Sequence, residues 1–238
     1  MKKYTYENLL EIIRILRSGN GCPWDREQTH QSLKPCMMEE AAEVLSAIRI
    51  YDKTGNYENL EEELGDVLLQ VVMHARIAEE EGLFTMEDIV HGISEKMIRR
   101  HPHVFADSTV DNSMQVLENW EDIKKKEKEG KSYVESPLRE IPIELPSLAR
   151  APKVLKMVDK LYEGKSSYQE SVDSLLASAK QLQVLETQEE TPEITQIIGD
   201  ILMSVSNISR LFKLPQEQIL YDRIEDMIEK CEERWEKI

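Results

Sequence analysis

The sequence predicts an all-α protein built from two tandem helical-bundle units. Apolar residues recur at helical spacing along most of the 238 residues, and strand-like alternation is convincing nowhere. Nine glycines and nine prolines are few for a β-protein with many tight turns. The run Gly65-Asp66-Val67-Leu68-Leu69 returns as Gly199-Asp200-Ile201-Leu202-Met203, an offset of 134 residues (199 minus 65), which indicates two copies of a similar unit.

The first half of the chain is predicted to hold five helices. Asn20, Gly21 and Pro23 end the first of them, and Gly82 ends the third, because glycine readily adopts the left-handed conformation after a helix. Thr85, with Asp88 three residues on, is typical of a helix N-cap. The predicted spans are residues 4–17, 37–51, 58–81, 85–100 and 113–129, with 22–36 as a loop containing one short turn.

Three prolines mark a joint in the middle of the chain. Pro137, Pro142 and Pro146 fall within ten residues, and proline interrupts regular structure. We therefore expect a first helical domain at 1–130, a linker at 131–147 and a second helical domain at 148–238. The second domain is predicted to hold helices near residues 147–162, 168–185, 193–212 and 215–237.

Charge and composition restrict the possible partners. The chain has 46 acidic and 30 basic residues and a formal net charge of −16, which argues against binding duplex nucleic acid or an anionic membrane. A small anionic ligand stays possible, because a metal ion can invert the local charge. Three cysteines, no signal-peptide pattern and no apolar run of about 20 residues predict a cytoplasmic protein.

Acidic residues are spaced to meet on two neighbouring helices. Glu39, Glu40 and Glu43 form one edge of the 37–51 helix, beside a predicted core stripe. Glu63 and Asp66 lie three residues apart on the 58–81 helix, as Glu40 and Glu43 do on theirs. Residues at this spacing are separated by about 4.5 Å along the helix axis, so both side chains of a pair can point at one ion. The predicted core stripe consists of Met37, Ala41, Val44, Leu45 and Ile48.

Carboxylates beside apolar surface are unfavourable unless they are protonated, paired or bound to metal. All-oxygen ligands select Mg²⁺ or Mn²⁺ over zinc. Two alternatives remain open at this point. The acids could be a solvated helix face, or the bundle could hold a di-iron centre, although that pattern wants a Glu-x-x-His spacing.

These acids and their flanks resemble one family. Glu39-Glu40-x-x-Glu43, followed by Glu63-x-x-Asp66, resembles the EExxE…ExxD signature of the MazG nucleoside triphosphate pyrophosphohydrolases. The segments NGCPWDREQTH from Asn20 and EKMIRRHPHVFAD from Glu95 resemble the family's flanking segments, and the similarity covers residues 7–128 closely. The resemblance implies an all-α, dimeric, Mg²⁺-binding enzyme that splits nucleoside triphosphates into monophosphate and pyrophosphate.

The resemblance also implies a role for individual residues. The implied metal ligands are Glu40, Glu43, Glu63 and Asp66, and Glu39 matches an additional acid that could orient or deprotonate water. The residues implied to approach the nucleotide are Lys96, Arg100, Trp120, Lys124, Trp24 and Asp25. Each has a structural alternative: the basic residues could pair with surface acids, and the two tryptophans could serve packing alone.

The second copy departs from the signature. At the same offset Glu40, Glu43 and Glu63 become Ser174, Ala177 and Ile197, and only Asp66 keeps an acidic equivalent, Asp200. We therefore expect the working site in the N-terminal copy, with Mg²⁺-dependent hydrolysis at the α-phosphorus, broad base specificity and a homodimer. The alternative is a non-catalytic helical protein that senses nucleotides or binds a partner.

Overall fold

The computed structural model is built from helices, as the sequence predicts. It describes residues 3–106, 112–128, 136–162, 164, 166–185 and 190–235, and these residues form eleven helices and no strand. The chain divides into two compact units, Met1–Glu129 and Gly130–Ile238. Part of the predicted linker, residues 131–135, lies outside the described residues.

The helices divide between the two units. Those of the first unit are α1 Tyr6–Leu16, α2 Pro23–Glu27, α3 Lys34–Thr54, α4 Glu58–Glu80, α5 Met86–Arg100, α6 Pro102–Phe105 and α7 Ser113–Lys128. Those of the second unit are α8 Ser147–Leu161, α9 Tyr168–Val184, α10 Pro192–Leu211 and α11 Gln216–Trp235.

Local signals account for most helix ends. The predicted cap at Thr85 is confirmed: its side chain accepts from the backbone N–H of Asp88, and the Asp88 carboxylate accepts from the Thr85 N–H, which is a capping box. Gly82 follows α4 with a φ of +71°, so the predicted glycine stop is also confirmed. Gly55 has a φ of +73° and ends α3 in the same way.

Proline explains where the predicted boundaries differ from the structure. The chain turns helical three residues earlier than expected, at Lys34, because Pro35 lies in the first turn, where its missing N–H is no loss. Pro23 and Pro102 start the short helices α2 and α6 in the same way. Helices of four or five residues are too short for hydrophobic periodicity to reveal them.

The core of the first unit lies at the C-terminal half of α4. Its buried members come from α1, the turn before α3, and α4. They are Ile13, Leu33, Val72, Met73 and Ile77. This packing holds the far end of the α3–α4 hairpin and leaves the end that carries the acidic residues outside the core.

The predicted core stripe of α3 is not buried within this chain. Leu45 is 68% exposed, and Ile48 and Ala41 are exposed as well, whereas Ala47 is the buried position of the helix. Leu64 and Leu68 on the first half of α4 are also exposed. The prediction failed because helical spacing identifies an apolar face and does not show what covers it.

Arg17 fastens the C-terminal end of α1 to α4. Its side chain is only 6% exposed, and its guanidinium donates to the Glu80 carboxylate at 2.8 Å and to the backbone oxygen of Asp25 at 2.5 Å. Burial raises the pKa of Glu80, but the hydrogen bonds and charges of Arg17 and Arg76 outweigh it, so that pKa is lowered. The C-terminal end of α4 is therefore held to α1 by the ion pair of Arg17 and Glu80.

A histidine pair ties the segment before α3 to α4. His30 Nδ1 and His74 Nδ1 are 2.7 Å apart and the two ring planes are within 4° of parallel. Because one nitrogen must donate and the other accept, at least one of them carries no proton. Burial, and then the charge of His30, lower the pKa of His74 below 6.5, and the Glu81 carboxylate lies 3.9 Å from His30 Nε2.

The second unit has a polar interior. Asn207 Nδ2 donates to Ser171 Oγ at 2.8 Å, and Arg210 Nε donates to Asn207 Oδ1 at 2.8 Å. Arg210 also pairs with Asp159 at 2.7 Å. These bonds link α8, α9 and α10, so hydrogen bonding supplies part of the cohesion that apolar packing supplies in the first unit.

None of the helices in the described residues is long and apolar enough to cross a membrane.

The depressed pKa of His74 predicts a pH-dependent stability. Below about pH 6.5 the unfolded chain takes up a proton at this position that the folded chain does not, so the free energy of unfolding falls as the pH falls through this range. In His74→Gln this share of the pH dependence should vanish. Urea denaturation at about pH 7 and about pH 5 measures it. Substitution of the exposed His91 by Gln is the control, and equal slopes in the two variants would contradict the assignment.

Candidate metal centre

Three of the predicted acidic residues meet between α3 and α4. Carboxylate oxygens of Glu40, Glu43 and Glu63 all lie within 4.8 Å of one another. Glu40 and Glu63 are half-buried and Glu43 is exposed. The spacing of three on α3 puts Glu40 and Glu43 on one edge, and the hairpin turn at Gly55 brings α4 back beside them.

The other two predicted acids lie beside this cluster. Asp66 is half-buried on α4, three residues after Glu63, and is not part of the group within 4.8 Å. Glu39 is exposed on α3 next to Glu40. The structure thus brings three of the four predicted metal ligands together, and it places the fourth one helical turn along α4.

Mutual repulsion dominates the electrostatics of the cluster. The charge of Glu63 and a hydrogen bond shared with it raise the pKa of Glu43, with smaller contributions from burial and from Glu40 and Glu39. Asn59 Nδ2 donates to Glu63 Oε1 at 2.7 Å and so fixes one oxygen of that carboxylate. A cation would relieve the repulsion, because an opposite charge favours the ionised form.

The donor set fits a hard divalent cation. Three clustered carboxylates, with a fourth one turn away, offer the oxygen ligands that Mg²⁺ and Mn²⁺ prefer. Zinc would want imidazole or thiolate ligands. Among the described residues, the group that could hold a metal contains no histidine, which the Glu-x-x-His pattern of a di-iron centre would need.

A basic group forms where α5 meets α7. Glu127 accepts from both Arg99 at 2.7 Å and Arg100 at 2.5 Å. Its side chain is 12% exposed, and the hydrogen bond to Arg100 is the main cause that lowers the pKa of Glu127 to about 2. Lys96 lies one turn before Arg100 on α5 and is half-buried. The guanidinium groups of Arg99 and Arg100 share the Glu127 carboxylate, so these three side chains together carry a net positive charge.

Trp120 packs against this basic group. The Arg100 guanidinium carbon lies 5.4 Å from the centre of the Trp120 ring, and the His101 ring meets it edge-on at 5.1 Å. The contacts of Trp120 in the structure are therefore those of a packed side chain with a cation on its face. Lys124 is exposed one turn further along α7.

The remaining predicted residues lie on the short helix α2. Trp24 is 62% exposed, and its backbone oxygen accepts from Gln28 Nε2 at 2.9 Å. Asp25 is half-buried, and Arg17 holds its backbone oxygen. The indole ring of Trp24 is thus available at the surface.

The second unit fills the corresponding positions differently. Ile197, at the offset of 134 residues from Glu63, is buried, and Ser174, at the same offset from Glu40, has its Oγ 3.3 Å from Ser204 Oγ. Ser204 also donates to the backbone oxygen of Asp200 at 2.8 Å. In the described residues, no acidic group that could hold a metal is found in this unit.

Two partners of the site were missed by sequence reasoning. Asn59 lies four residues before Glu63 on the same helix, a spacing that could have revealed it. Glu127 lies 27 residues from Arg100 on another helix, so no local pattern points to it.

Clustered carboxylates on a helical hairpin could hold a divalent cation, and comparison with known proteins gives the family of the chain. The model of the MazG nucleotide pyrophosphohydrolase domain matches residues 28–105. The chain is 37% identical over 238 residues to the nucleoside triphosphate pyrophosphohydrolase/pyrophosphatase MazG of Thermotoga maritima, which covers 94% of this chain and 87% of that protein. It is 40% identical over 219 residues to the nucleoside triphosphate pyrophosphohydrolase of Escherichia coli K12, covering 86% of this chain and 77% of that protein.

A third relative extends well beyond the chain. The Bacillus subtilis protein YabN is 52% identical over 153 residues, which are 64% of this chain, and the match spans 30% of its own length. The chain belongs to the MazG family of nucleoside triphosphate pyrophosphohydrolases, a class of hydrolases.

Repulsion within the cluster predicts the effect of removing one charge. Glu43→Gln keeps the size of the side chain and relieves repulsion from Glu63, so the metal-free protein should melt higher, by on the order of 1–2 °C. Differential scanning fluorimetry in a chelator measures the shift. Glu62→Gln, an exposed acid on α4, is the matched control and should show no such gain. A lower melting temperature for Glu43→Gln would show that the cluster is not strained by repulsion.

Proposed function

We propose that this protein hydrolyses nucleoside triphosphates to nucleoside monophosphate and pyrophosphate with Mg²⁺ or Mn²⁺, at a site in its N-terminal unit. The observation that carries the proposal is the convergence of Glu40, Glu43 and Glu63 on one point between α3 and α4. The names of the Thermotoga and Escherichia relatives support the reaction type.

The acidic side chains would bind and orient in this reaction. Glu40, Glu43, Glu63 and Asp66 would hold the cation, which when bound supplies charge neutralisation for phosphate oxygens and acidifies a coordinated water. Glu39, exposed next to Glu40, would accept a proton from the attacking water or orient it. Asn59 keeps Glu63 in its position through a hydrogen bond.

The basic group on α5 would receive the outer phosphates. Glu127 now occupies one side of Arg100, and a triphosphate offers more negative charge than one carboxylate, so it can compete for the same donors. Lys96, one turn away, and Lys124 on α7 would add positive charge without base recognition. The leaving group would be pyrophosphate, because these basic side chains would act on the outer two phosphates.

Base selection is proposed to be broad. Trp24 offers an exposed ring that can stack on any base, and stacking discriminates weakly among bases. Asp25 beside it would shape the edge of the pocket. Trp120, with Arg100 over its ring, would hold that arginine in place and border the nucleotide.

We further propose a homodimer in the cytoplasm. The exposed apolar residues Leu45, Ile48, Leu64 and Leu68 lie on the same hairpin as the acids, and a second copy of that hairpin offers a matching surface. The three cysteines are free, which suits a reducing compartment.

A non-catalytic nucleotide sensor is the second candidate. The observation that favours it is that Glu127 already holds Arg99 and Arg100, which would be needed for catalysis. Such a protein would bind nucleotide without turning it over.

Product analysis distinguishes the two candidates and tests the cleavage position. With Mg²⁺ and ATP, GTP, CTP or UTP, we expect monophosphate and pyrophosphate in equal amounts, with rates for the four bases within about tenfold of one another. Ion-exchange chromatography resolves these products. Diphosphate and inorganic phosphate would contradict the mechanism, and binding without products would favour the sensor.

The two aspartates at equivalent positions test which unit carries the site. Asp66→Asn removes a charge beside the carboxylate cluster, so kcat/KM should fall by about 100-fold or more. Asp200→Asn is the matched control in the second unit, and it should keep most of the activity because Ile197 and Ser174 stand at the offset positions of Glu63 and Glu40. Circular dichroism verifies that both variants fold. If Asp200→Asn is inactive and Asp66→Asn active, the assignment to the first unit is wrong.

A further inference from the structure

Gln70 on α4 is a buried polar side chain with an unused acceptor. Its side chain is 6% exposed, and its Oε1 atom has no hydrogen-bond partner among the residues that the structure describes. The great majority of buried polar atoms in native proteins are hydrogen-bonded, so each exception needs an explanation. A buried amide oxygen without a partner destabilises the fold, and apolar side chains of the same size avoid the problem.

The position of Gln70 on the helix points to the space between α3 and α4. Glu63, Gln70 and His74 are separated by seven and four residues and therefore lie along one face of α4. At one end of this row Glu63 meets Glu40 and Glu43 of α3, and at the other end His74 bonds to His30, four residues before α3 begins. Gln70 lies between them on the same face and is buried, so it faces α3.

The direction of helical side chains carries the amide toward the acidic cluster. Side chains on an α-helix lean toward its N-terminus and lie over the preceding turn. For Gln70 the preceding turn contains Asp66, four residues earlier, and Glu63 lies one turn further in the same direction. We therefore expect the amide of Gln70 to lean toward Asp66, the acidic residue nearest to it along this face.

We propose that Gln70 is a positioning residue of the metal centre, whose Oε1 accepts a hydrogen bond from a water in the hydration shell of the divalent cation. Mg²⁺ and Mn²⁺ keep several waters when carboxylates bind them, and such waters need acceptors. This role rests on the proposed function. It explains why a buried acceptor without a partner lies one helical turn after Asp66 on the face of α4 that carries Glu63, where an uncharged oxygen adds no further repulsion.

The test uses the full-length protein and Mn²⁺ alone as the probe. Gln70→Met keeps an unbranched side chain of similar length and removes the amide. We expect the metal-free variant to melt higher than the unsubstituted protein, and its Mn²⁺ dissociation constant to rise by about tenfold, as is usual when an outer-shell partner of a metal site is lost. Fluorimetry in a chelator gives the first quantity, and electron paramagnetic resonance of free Mn²⁺ gives the second.

Two further variants separate this role from a purely structural one. Gln70→Glu keeps an acceptor oxygen, so it should restore the Mn²⁺ affinity while it lowers the melting temperature of the metal-free protein by adding a buried charge. Gln216→Met is the matched control. Gln216 is also buried and its Oε1 also lacks a partner in the described residues, but it lies in the second unit, so its loss should leave Mn²⁺ affinity unchanged.

The outcomes are distinct. If the unsubstituted protein does not bind Mn²⁺, the proposed function fails and this inference fails with it. If it binds and Gln70→Met binds equally well, the inference is wrong and the proposed function stands. If Gln70→Met melts lower without metal and Gln70→Glu does not restore the Mn²⁺ affinity, the role of the amide is structural, which also overturns the inference. Weaker Mn²⁺ binding together with a higher metal-free melting temperature supports it.

Discussion

Repulsion among carboxylates at the α3–α4 contact is the constraint on which the first unit depends. Glu40, Glu43 and Glu63 bring oxygens within 4.8 Å of one another, and the raised pKa of Glu43 is the direct consequence. Repulsion of this kind works against the α3–α4 contact, and contacts elsewhere in the hairpin oppose it. Those contacts lie at the far end of α4, where Val72 and Ile77 are buried and Arg17 pairs with Glu80. The hairpin is thus anchored at one end, and the carboxylate cluster lies outside that core.

An acidic chain needs a local concentration of positive charge in order to bind an anionic substrate. The chain carries a net charge of −16, yet Arg99, Arg100 and Lys96 form a basic group on α5. Glu127 keeps the two arginines ordered and lowers their mutual repulsion. A cation at the acidic cluster and this basic group would together offset the charge of a triphosphate.

Sequence reasoning succeeded where the signal is local and failed where it depends on distant contacts. The capping box at Thr85, the glycine stop at Gly82 and the meeting of the acids on two helices all follow from spacing along one element or across one short turn. Helical periodicity could not tell that Leu45 stays exposed in the single chain. The pairing of Arg100 with Glu127 and of His30 with His74 joins elements far apart in sequence, for which a single chain offers no pattern.

The central claim is that the α3–α4 carboxylates bind a divalent cation, and a direct Mn²⁺ titration of Glu63→Gln tests it. Glu63 is the member of the cluster that contributes from α4, and the exposed Glu61 on the same helix is the matched control. We predict saturable Mn²⁺ binding that is weakened by at least about tenfold in Glu63→Gln and unchanged in Glu61→Gln. Equal Mn²⁺ affinity in the two variants would contradict the account.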